Sequence, residues 1–415
     1  MSKRIALLSV VVLAAAGLAV SAATASTKKP TTQKSGHLLV GINDEAFTLY
    51  GDPTTAFATL RSLKAQVIRV NLYWGGTKWA VANQGRPSDP TDPGDPAYTW
   101  TLYDRLVRYA TQNGIQVMFS IVGTPSWANG GKARTVAPTD FTDLVNFSYA
   151  AAERYSGLWT PPVWQQDPSN PTTKLPLPKV SMWTAWNEPN NPVFLTPQYK
   201  RVGKTWRVES AFEYAKICNA VMAGVHSPYL GPLPGEQVAC GVTDPKGNDA
   251  PKTSRASVDP LTFLTQAHRF GMKAPDVYAH NPYADIGPKE SPTYVPKGKT
   301  ARRVQLGNIN TLLKLVTKYY GNKHLWITEY GYQTNPPDKL FGVSYLKQSQ
   351  YLTQAYAIAR KNPRIDLMLW FLVRDDPHVA TGWQSGLATA TGKHKPAWAA
   401  FVKVPRPVVP TSTTG

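Results

Sequence analysis

The sequence predicts a (β/α)8 barrel of the TIM type, and three observations predict it. Short apolar runs alternate with amphipathic stretches eight times along the chain. The runs are apolar on both faces, as strands are when helices cover one side and a barrel interior fills the other. Two glutamates, Glu188 and Glu329, close the fourth and seventh of these runs. Active sites of this fold draw their residues from such strand ends.

In order, the strand-like runs are 38–43, 66–72, 115–122, 180–187, 237–242, 276–281, 324–329 and 366–371. Helical periodicity fills the gaps at 53–63, 102–113, 139–155, 210–225, 260–270, 302–319 and 344–361, and a final helix is expected at 396–402. Strict alternation of strand and helix is the pattern of a parallel sheet. Four connections are long: 73–100, 160–179, 190–208 and 244–259. Loops that follow strands lie on the catalytic face. The Pro-rich segment 160–179 precedes a strand and belongs on the opposite face.

The 415 residues are 42% hydrophobic and 17% charged, a globular composition able to bury a large core. No internal repeat of fixed period is visible. Residues 1–25 read as a secretory signal: Lys3 and Arg4, an apolar stretch over 5–20, and Ala23-Thr24-Ala25 as the cleavage site. The rival is a retained anchor, but the apolar run is short for a span and small residues crowd its end. Residues 26–36 read as a flexible leader, 37–403 as the catalytic barrel, and 404–415, rich in Pro, Thr and Val, as a disordered tail. The expected product is extracellular and spans no membrane after cleavage; cell-wall association is open.

Cys218 falls on an expected helix and Cys240 in the following strand. Outside the cell two thiols usually pair, so a disulfide and two separate buried thiols are the readings to separate. Lys and Arg number 45 against 26 Asp and Glu, a net charge of +19. Attraction to anionic cell-wall polymers, nucleic-acid binding, and a plain solvated basic surface all fit that balance. The basic residues are scattered and no nucleic-acid motif is present, so nucleic acid is not expected as a partner and the solvated surface is the preferred reading.

The strongest local signal is Trp183-Thr184-Ala185-Trp186-Asn187-Glu188-Pro189-Asn190. Pro189 stops the strand and fixes its exit, so Glu188 emerges at the barrel top. Flanked by Trp186 and Asn187, its carboxyl is partly desolvated, which raises its pKa and suits a general acid. The second signal is Leu325-Trp326-Ile327-Thr328-Glu329-Tyr330-Gly331. A nucleophilic carboxylate must be ionised and needs donors. Arg69, ending the second strand, and Tyr283, after the sixth in His280-Asn281-Pro282-Tyr283, are candidates. Either glutamate run alone could be a turn; their joint placement is what points to chemistry.

With these motifs the chain resembles the retaining glycoside hydrolases of clan A, whose (β/α)8 members include cellulase-like, mannanase-like and β-xylosidase-like enzymes. The resemblance implies Glu188 as acid/base in Asn187-Glu188-Pro189 and Glu329 as nucleophile. It implies that Asn187 binds a sugar 2-hydroxyl, that Arg69 supports the nucleophile, and that Trp370, ending strand eight, floors the subsite of the cleaved sugar. It covers about residues 37–402. The third strand ends Ser120-Ile121-Val122-Gly123-Thr124-Pro125-Ser126-Trp127, without the His often found in cellulase-like members, and this looks more like the β-xylosidase-like branch. His280 and Tyr283 stand one residue further apart than the His-x-Tyr of cellulase-like members.

Sugars pack their C–H faces on aromatic rings, and Tyr73, Trp74, Trp79, Trp127, Trp186, Trp206, Tyr330, Trp370 and Trp383 all fall near the expected mouth. Trp127 and Trp370, at strand ends, are the preferred platforms. The expected substrate-binding set is therefore Arg69, Asn187, His280, Tyr283, Trp127 and Trp370. Asp375 and Asp376 read as turn residues, and Asp44 and Glu45 as surface carboxylates. The expected activity is hydrolysis of an oligo- or polysaccharide by double displacement, by a monomer without metal or other cofactor. A polysaccharide-binding barrel without activity shares the aromatics but has no need of both glutamates. A metal-dependent hydrolase needs clustered His and Asp ligands, and the 7 histidines are scattered. A transglycosylase would use the same residues.

Overall fold

The computed structural model describes residues 37–231 and 235–407. The expected signal segment and leader lie outside the described residues, as does the tail from 408 onward. Eight parallel strands close a barrel: β1 (Leu39–Asn43), β2 (Val67–Tyr73), β3 (Gln116–Val122), β4 (Met182–Ala185), β7 (Gln237–Thr243), β8 (Val277–His280), β9 (His324–Tyr330) and β10 (Ile365–Phe371). Strands β5 (Tyr199–Val202) and β6 (Thr205–Val208) form a separate antiparallel hairpin in the long connection after β4. Around the barrel run α1 (Glu45–Thr48), α2 (Pro53–Ser62), α3 (Thr101–Gln112), α4 (Thr142–Arg154), α5 (Glu209–Val225), α6 (Pro260–Arg269), α7 (Ile309–Tyr320), α8 (Tyr345–Lys361) and α9 (Pro396–Lys403).

Local chemistry sets the helix limits. Asp52 caps α2 by accepting from the Thr55 N–H, with Pro53 at the first turn, and Ser344 caps α8 by accepting from Lys347 N–H. On α3, Tyr103, Leu106, Val107 and Ala110 are buried, the i, i+3, i+4, i+7 spacing of one helical face. The helix expected at 302–319 starts later, at Ile309. Gln305 and Asn308 satisfy one another's backbone groups and form a single 3-10 turn there, an alternative that such side chains offer in place of helix.

The apolar residues divide into two cores. One lies between strands and helices. The other is the barrel interior, built from Val67, Met118, Met182, Ala239, Val242, Val277, Ala279, Trp326, Leu367 and Leu369. Side chains alternate along a strand, so residues two further on from these share the interior at a higher level. They are Arg69 after Val67, Ser120 after Met118, Thr184 after Met182 and Thr328 after Trp326. The interior is thus apolar at its floor and polar at its mouth. Gly41 of β1 is required in this packing: a Cβ there would stand 2.0 Å from the Val67 carbonyl oxygen and 2.7 Å from Leu369.

Near the mouth, two strands break the alternation. Between Ile327 and Tyr330, β9 has one residue more than its partner β10 has between Met368 and Trp370. Likewise β7 carries Val242 as an extra residue between Gly241 and Thr243, with φ +47°. Such bulges re-aim side chains at the ends of strands.

Cys218 of α5 and Cys240 of β7 form a disulfide. At the floor, residues 404–407, which composition assigns to the tail, are packed. Arg406 donates to the Leu63 and Lys64 carbonyls at 2.9 Å, and the Pro407 carbonyl accepts from Gln66 at 3.1 Å. His37 approaches the Asn362 carbonyl at 3.3 Å, so both ends of the described barrel lie on that face. No helix among the described residues is long and apolar enough to cross a membrane. Replacing both cysteines by alanine should lower stability by about 2–4 kcal/mol, since a cross-link over 22 residues restricts the unfolded chain. Reversible urea unfolding of the two proteins checks this; an unchanged midpoint would contradict it.

Candidate active site

The polar level of the interior converges on Arg69. Its guanidinium is buried, with the side chain 1% exposed. It donates from Nε to Ser120 Oγ at 2.7 Å, from Nη2 to Asn187 Oδ1 at 2.8 Å and from Nη1 to Glu329 Oε1 at 2.5 Å. Ser120 is held in turn by the Thr184 hydroxyl, which donates to it at 2.6 Å. The second oxygen of Glu329 accepts from the Tyr283 hydroxyl at 3.0 Å. Alternation alone would turn Glu329 away from Thr328, which is an interior residue. The bulge in β9 lets both reach the mouth, Thr328 donating to Asn281 Oδ1 at 2.7 Å and Glu329 meeting Arg69.

Glu188 stands beyond the end of β4, which stops at Ala185, two residues before the expected end. The chain reaches it through two left-handed residues, Trp186 at φ +67° and Glu188 itself at φ +39°. Non-glycine residues in that region cost of order 1–3 kcal/mol each and persist where the surroundings hold them. Here the holds are visible. Trp186 N–H donates to the Ile121 carbonyl at 2.9 Å and its indole N–H to Phe194 at 2.8 Å; Glu188 N–H donates to the carbonyl of Val242, the bulged residue of β7, at 2.9 Å.

The two carboxyls live in opposite surroundings. Glu188 is buried, and its pKa is raised well above the usual carboxylate range by burial first, then by the negative fields of Asp244 and Glu329. One amide, Asn281 Nδ2, donates to it at 2.9 Å and opposes the shift, as does the Arg69 charge. Glu329 has the guanidinium in direct contact. Tyr283 is kept a phenol, hence a donor, by its burial and by Glu329 and Glu188. Asp244 is itself fixed by Asn191 Nδ2 at 2.9 Å and by the Lys246 N–H.

The structure brings Glu188, Glu329, Arg69, Asn187 and Tyr283 together at the mouth. It does not bring His280, Trp370 or Trp127. His280 is fully buried with both ring nitrogens engaged, one facing Thr243 Oγ1 at 2.7 Å and the other the Val304 carbonyl at 2.9 Å. Bonding to a carbonyl fixes the second nitrogen as donor, and burial pushes the ring down to about 4, so it stays neutral. Its neighbour Asn281 is the residue that reaches the site. Trp370 is sealed under the loop after β10, its N–H on the Ser385 carbonyl at 3.0 Å, and presents no face to solvent. Trp127 donates to the Ala82 carbonyl, packs on Trp74 and is covered by the Arg86 guanidinium at 4.8 Å.

The exposed ring beside the nucleophile candidate is Trp383, 50% accessible, 6.3 Å from Tyr283 and 19° from parallel with it. Its loop is pinned by Lys395, a buried ammonium that donates to Asp375 at 2.7 Å, to Thr334 at 2.8 Å and to the Gln384 carbonyl at 3.2 Å. Asp375 is thus half of a buried ion pair and not a simple turn residue, whereas Asp376 does cap a turn through His378 N–H. Asp44, expected at the surface, is buried, caps α1 through Phe47 N–H, and also accepts from Val373 N–H; burial pushes it up to about 6. Among the described residues no group of three or more His, Cys, Asp or Glu is placed to hold a metal ion.

No family model matches the sequence, and no curated protein matches it. Solved structures do match its fold. A family 39 glycoside hydrolase from the gut symbiont Bacteroides cellulosilyticus aligns over 89% of this chain and 64% of its own, with a TM-score of 0.58 and 16% identity. A glucosidase from Croceicoccus marinus aligns over 89% and 66%, at 0.55 and 15%. A structure from a study of two fungal β-1,4-galactanases aligns over 88% and 99%, at 0.52 and 12%. The chain spans about two thirds of the length of the first two. The fold is the (β/α)8 barrel that these glycoside hydrolases share, and at these identities the likeness is one of fold alone.

A carboxyl whose pKa is raised by folding contributes stability that is fully present below its unfolded value, ~4.3. That contribution is lost as pH rises through the folded value. Glu188→Gln keeps an acceptor for Asn281 and removes the titration. Its stability relative to the parent protein should therefore rise between about pH 4 and pH 8. Urea midpoints across that range test this, and a difference that does not change with pH would refute the shift.

Proposed function

We propose that this chain is a glycoside hydrolase that cleaves O-glycosidic bonds of an oligo- or polysaccharide with retention of configuration. The observation that carries the proposal is the asymmetry of two carboxyls at one barrel mouth. Glu188 is held toward its protonated form, and Glu329 is ion-paired to Arg69 with Tyr283 on its second oxygen. A carboxyl whose surroundings hold its proton suits the acid, and one met by a guanidinium and a phenol suits the nucleophile.

In the proposed cycle Glu188 gives its proton to the leaving oxygen while Glu329 attacks the anomeric carbon. The leaving alcohol departs and a glycosyl ester remains on Glu329. Glu188, now a carboxylate, takes a proton from water, which attacks the same carbon and frees Glu329. Asn187, oriented by Arg69, presents its amide N–H groups to a sugar hydroxyl. Trp383 supplies the aromatic face at that subsite in place of Trp370. Secretion is part of the proposal, supported by the 1–25 segment of the sequence and by the disulfide.

Glu329→Gln should abolish release of the aglycone from aryl glycosides. Glu188→Gln should lower kcat/KM by roughly 10²–10⁴-fold on substrates with poor leaving groups and much less on good ones. The first sugar anomer formed, followed by proton NMR, should match the substrate's configuration. Full activity of Glu329→Gln, or an inverted first product, would overturn the assignment. The acid form of Glu188 is lost as pH rises through its pKa, so it sets the alkaline limb of kcat/KM. Asn281 favours its charged form; Asn281→Ala should move that limb to higher pH, and a shift to lower pH would contradict the role.

A further inference from the structure

A recess opens beside Asn187, lined by Asn71, Tyr73, Gly123, Arg134, Trp186 and Phe194 among others. The glycosidase reading makes no use of Arg134. Among the described residues six other arginines are matched to acids, Arg69 to Glu329, Arg86 to Asp143, Arg154 to Asp104, Arg207 to Glu209, Arg302 to Asp249 and Arg303 to Asp285, while Arg105, Arg108, Arg364 and Arg406 donate to backbone carbonyls. Arg134 has no carboxylate at ion-pair distance among the described residues. Glu45, which shares Tyr73 as a neighbour, is committed to the Tyr50 hydroxyl at 2.9 Å and the Asn71 N–H at 3.3 Å.

Arg134 is exposed, and its backbone and stem are held in place. Its carbonyl accepts from Thr124 N–H at 2.9 Å, which ties it to the chain just after β3. Its stem packs on Gly76, where a Cβ would come within 2.2 Å of the Arg134 Cβ; Gly76 lies at φ +78°. Its guanidinium lies over the Tyr73 ring, 5.3 Å from the centroid. Stacking on an aromatic face leaves the in-plane N–H fork free for a planar or tetrahedral anion. The neighbouring groups, Asn71 and the catalytic-level Asn187, are amides suited to hydroxyls.

We propose that the recess is a subsite for an anionic sugar, a uronate or a sugar sulfate, whose negative group is bound by Arg134. This rests on the glycosidase reading and names its substrate class. The test compares the full-length protein with Arg134→Gln and Arg134→Lys on matched polymers. These are uronate-bearing polysaccharides with their carboxyl-reduced counterparts, and sulfated polysaccharides with their desulfated counterparts. Reducing-end release gives the ratio of kcat/KM on the acidic polymer to that on its neutral partner; affinity electrophoresis gives binding alone.

The parent protein should favour the acidic member of one pair, which also tells carboxylate from sulfate. Arg134→Gln should lower that ratio roughly 10–100-fold, as loss of hydrogen bonds to a charged group does. Lysine should restore part of the ratio by charge without the fork. Preference for the neutral partner in every pair, or a ratio unmoved by Arg134→Gln, overturns the proposal. Hydrolysis lost in Glu329→Gln but seen only on neutral polymers would sink the anionic subsite and leave the glycosidase standing. Arg134-dependent retardation in acidic gels without any hydrolysis would do the reverse.

Discussion

A guanidinium buried in the interior of a barrel must be matched by negative charge and acceptors, and the top of this molecule is arranged around that requirement. Arg69 reaches 1% exposure because Ser120, Asn187 and Glu329 meet it from three other strands or their ends. Leaving such a charge unmatched costs several kcal/mol. The requirement fixes the levels at which β3, β4 and β9 end relative to β2. It also explains two of the departures from regular geometry near the mouth. Without the bulge in β9, Glu329 would point away from its cation. Without the left-handed turn at Trp186 and Glu188, Asn187 and Glu188 could not both face the mouth.

The same cation makes the two glutamates unlike. Both sit at the C-terminal rim of one barrel, within each other's field. Only Glu329 touches Arg69; Glu188 has one neutral amide, the burial of its site and the further negative field of Asp244. Burial first, and the field of Asp244 after it, hold the proton on Glu188, while Arg69 lies against Glu329 alone. The difference lies not in the glutamates themselves but in what the barrel places around each.

Much of this was legible in the sequence because strand ends are legible. Glu188, Glu329, Asn187 and Tyr283 each lie at or just past the end of an apolar run, and a closed barrel carries all such ends to one rim; Arg69, expected to end the second strand, lies inside β2, which runs on to Tyr73. What escaped depends on which way a side chain turns. His280 and Trp370 are strand-end residues too, yet both are buried with their polar atoms spent on neighbouring backbone and side chains. Asn281, one position from His280, and Trp383, in the following loop, take the exposed places. Period-two alternation cannot show an inserted residue, so neither bulge was visible, and the β5–β6 hairpin was hidden inside a long connection. Asp375 looked like a turn residue because its partner Lys395 is 20 residues away.

Residues 37 and 407 both lie at the floor, on the side opposite the glutamates, with Arg406 and Pro407 fastened to the segment that precedes β2. Both ends of the described barrel therefore open beneath it. A tether of any kind, whether to a surface, a scaffold or another domain, would hold the molecule by its base with the cleft facing outward. The geometry makes either end of the described barrel a suitable handle for immobilisation, and the reach of the mouth would then be set by the length of the leash and not by the barrel.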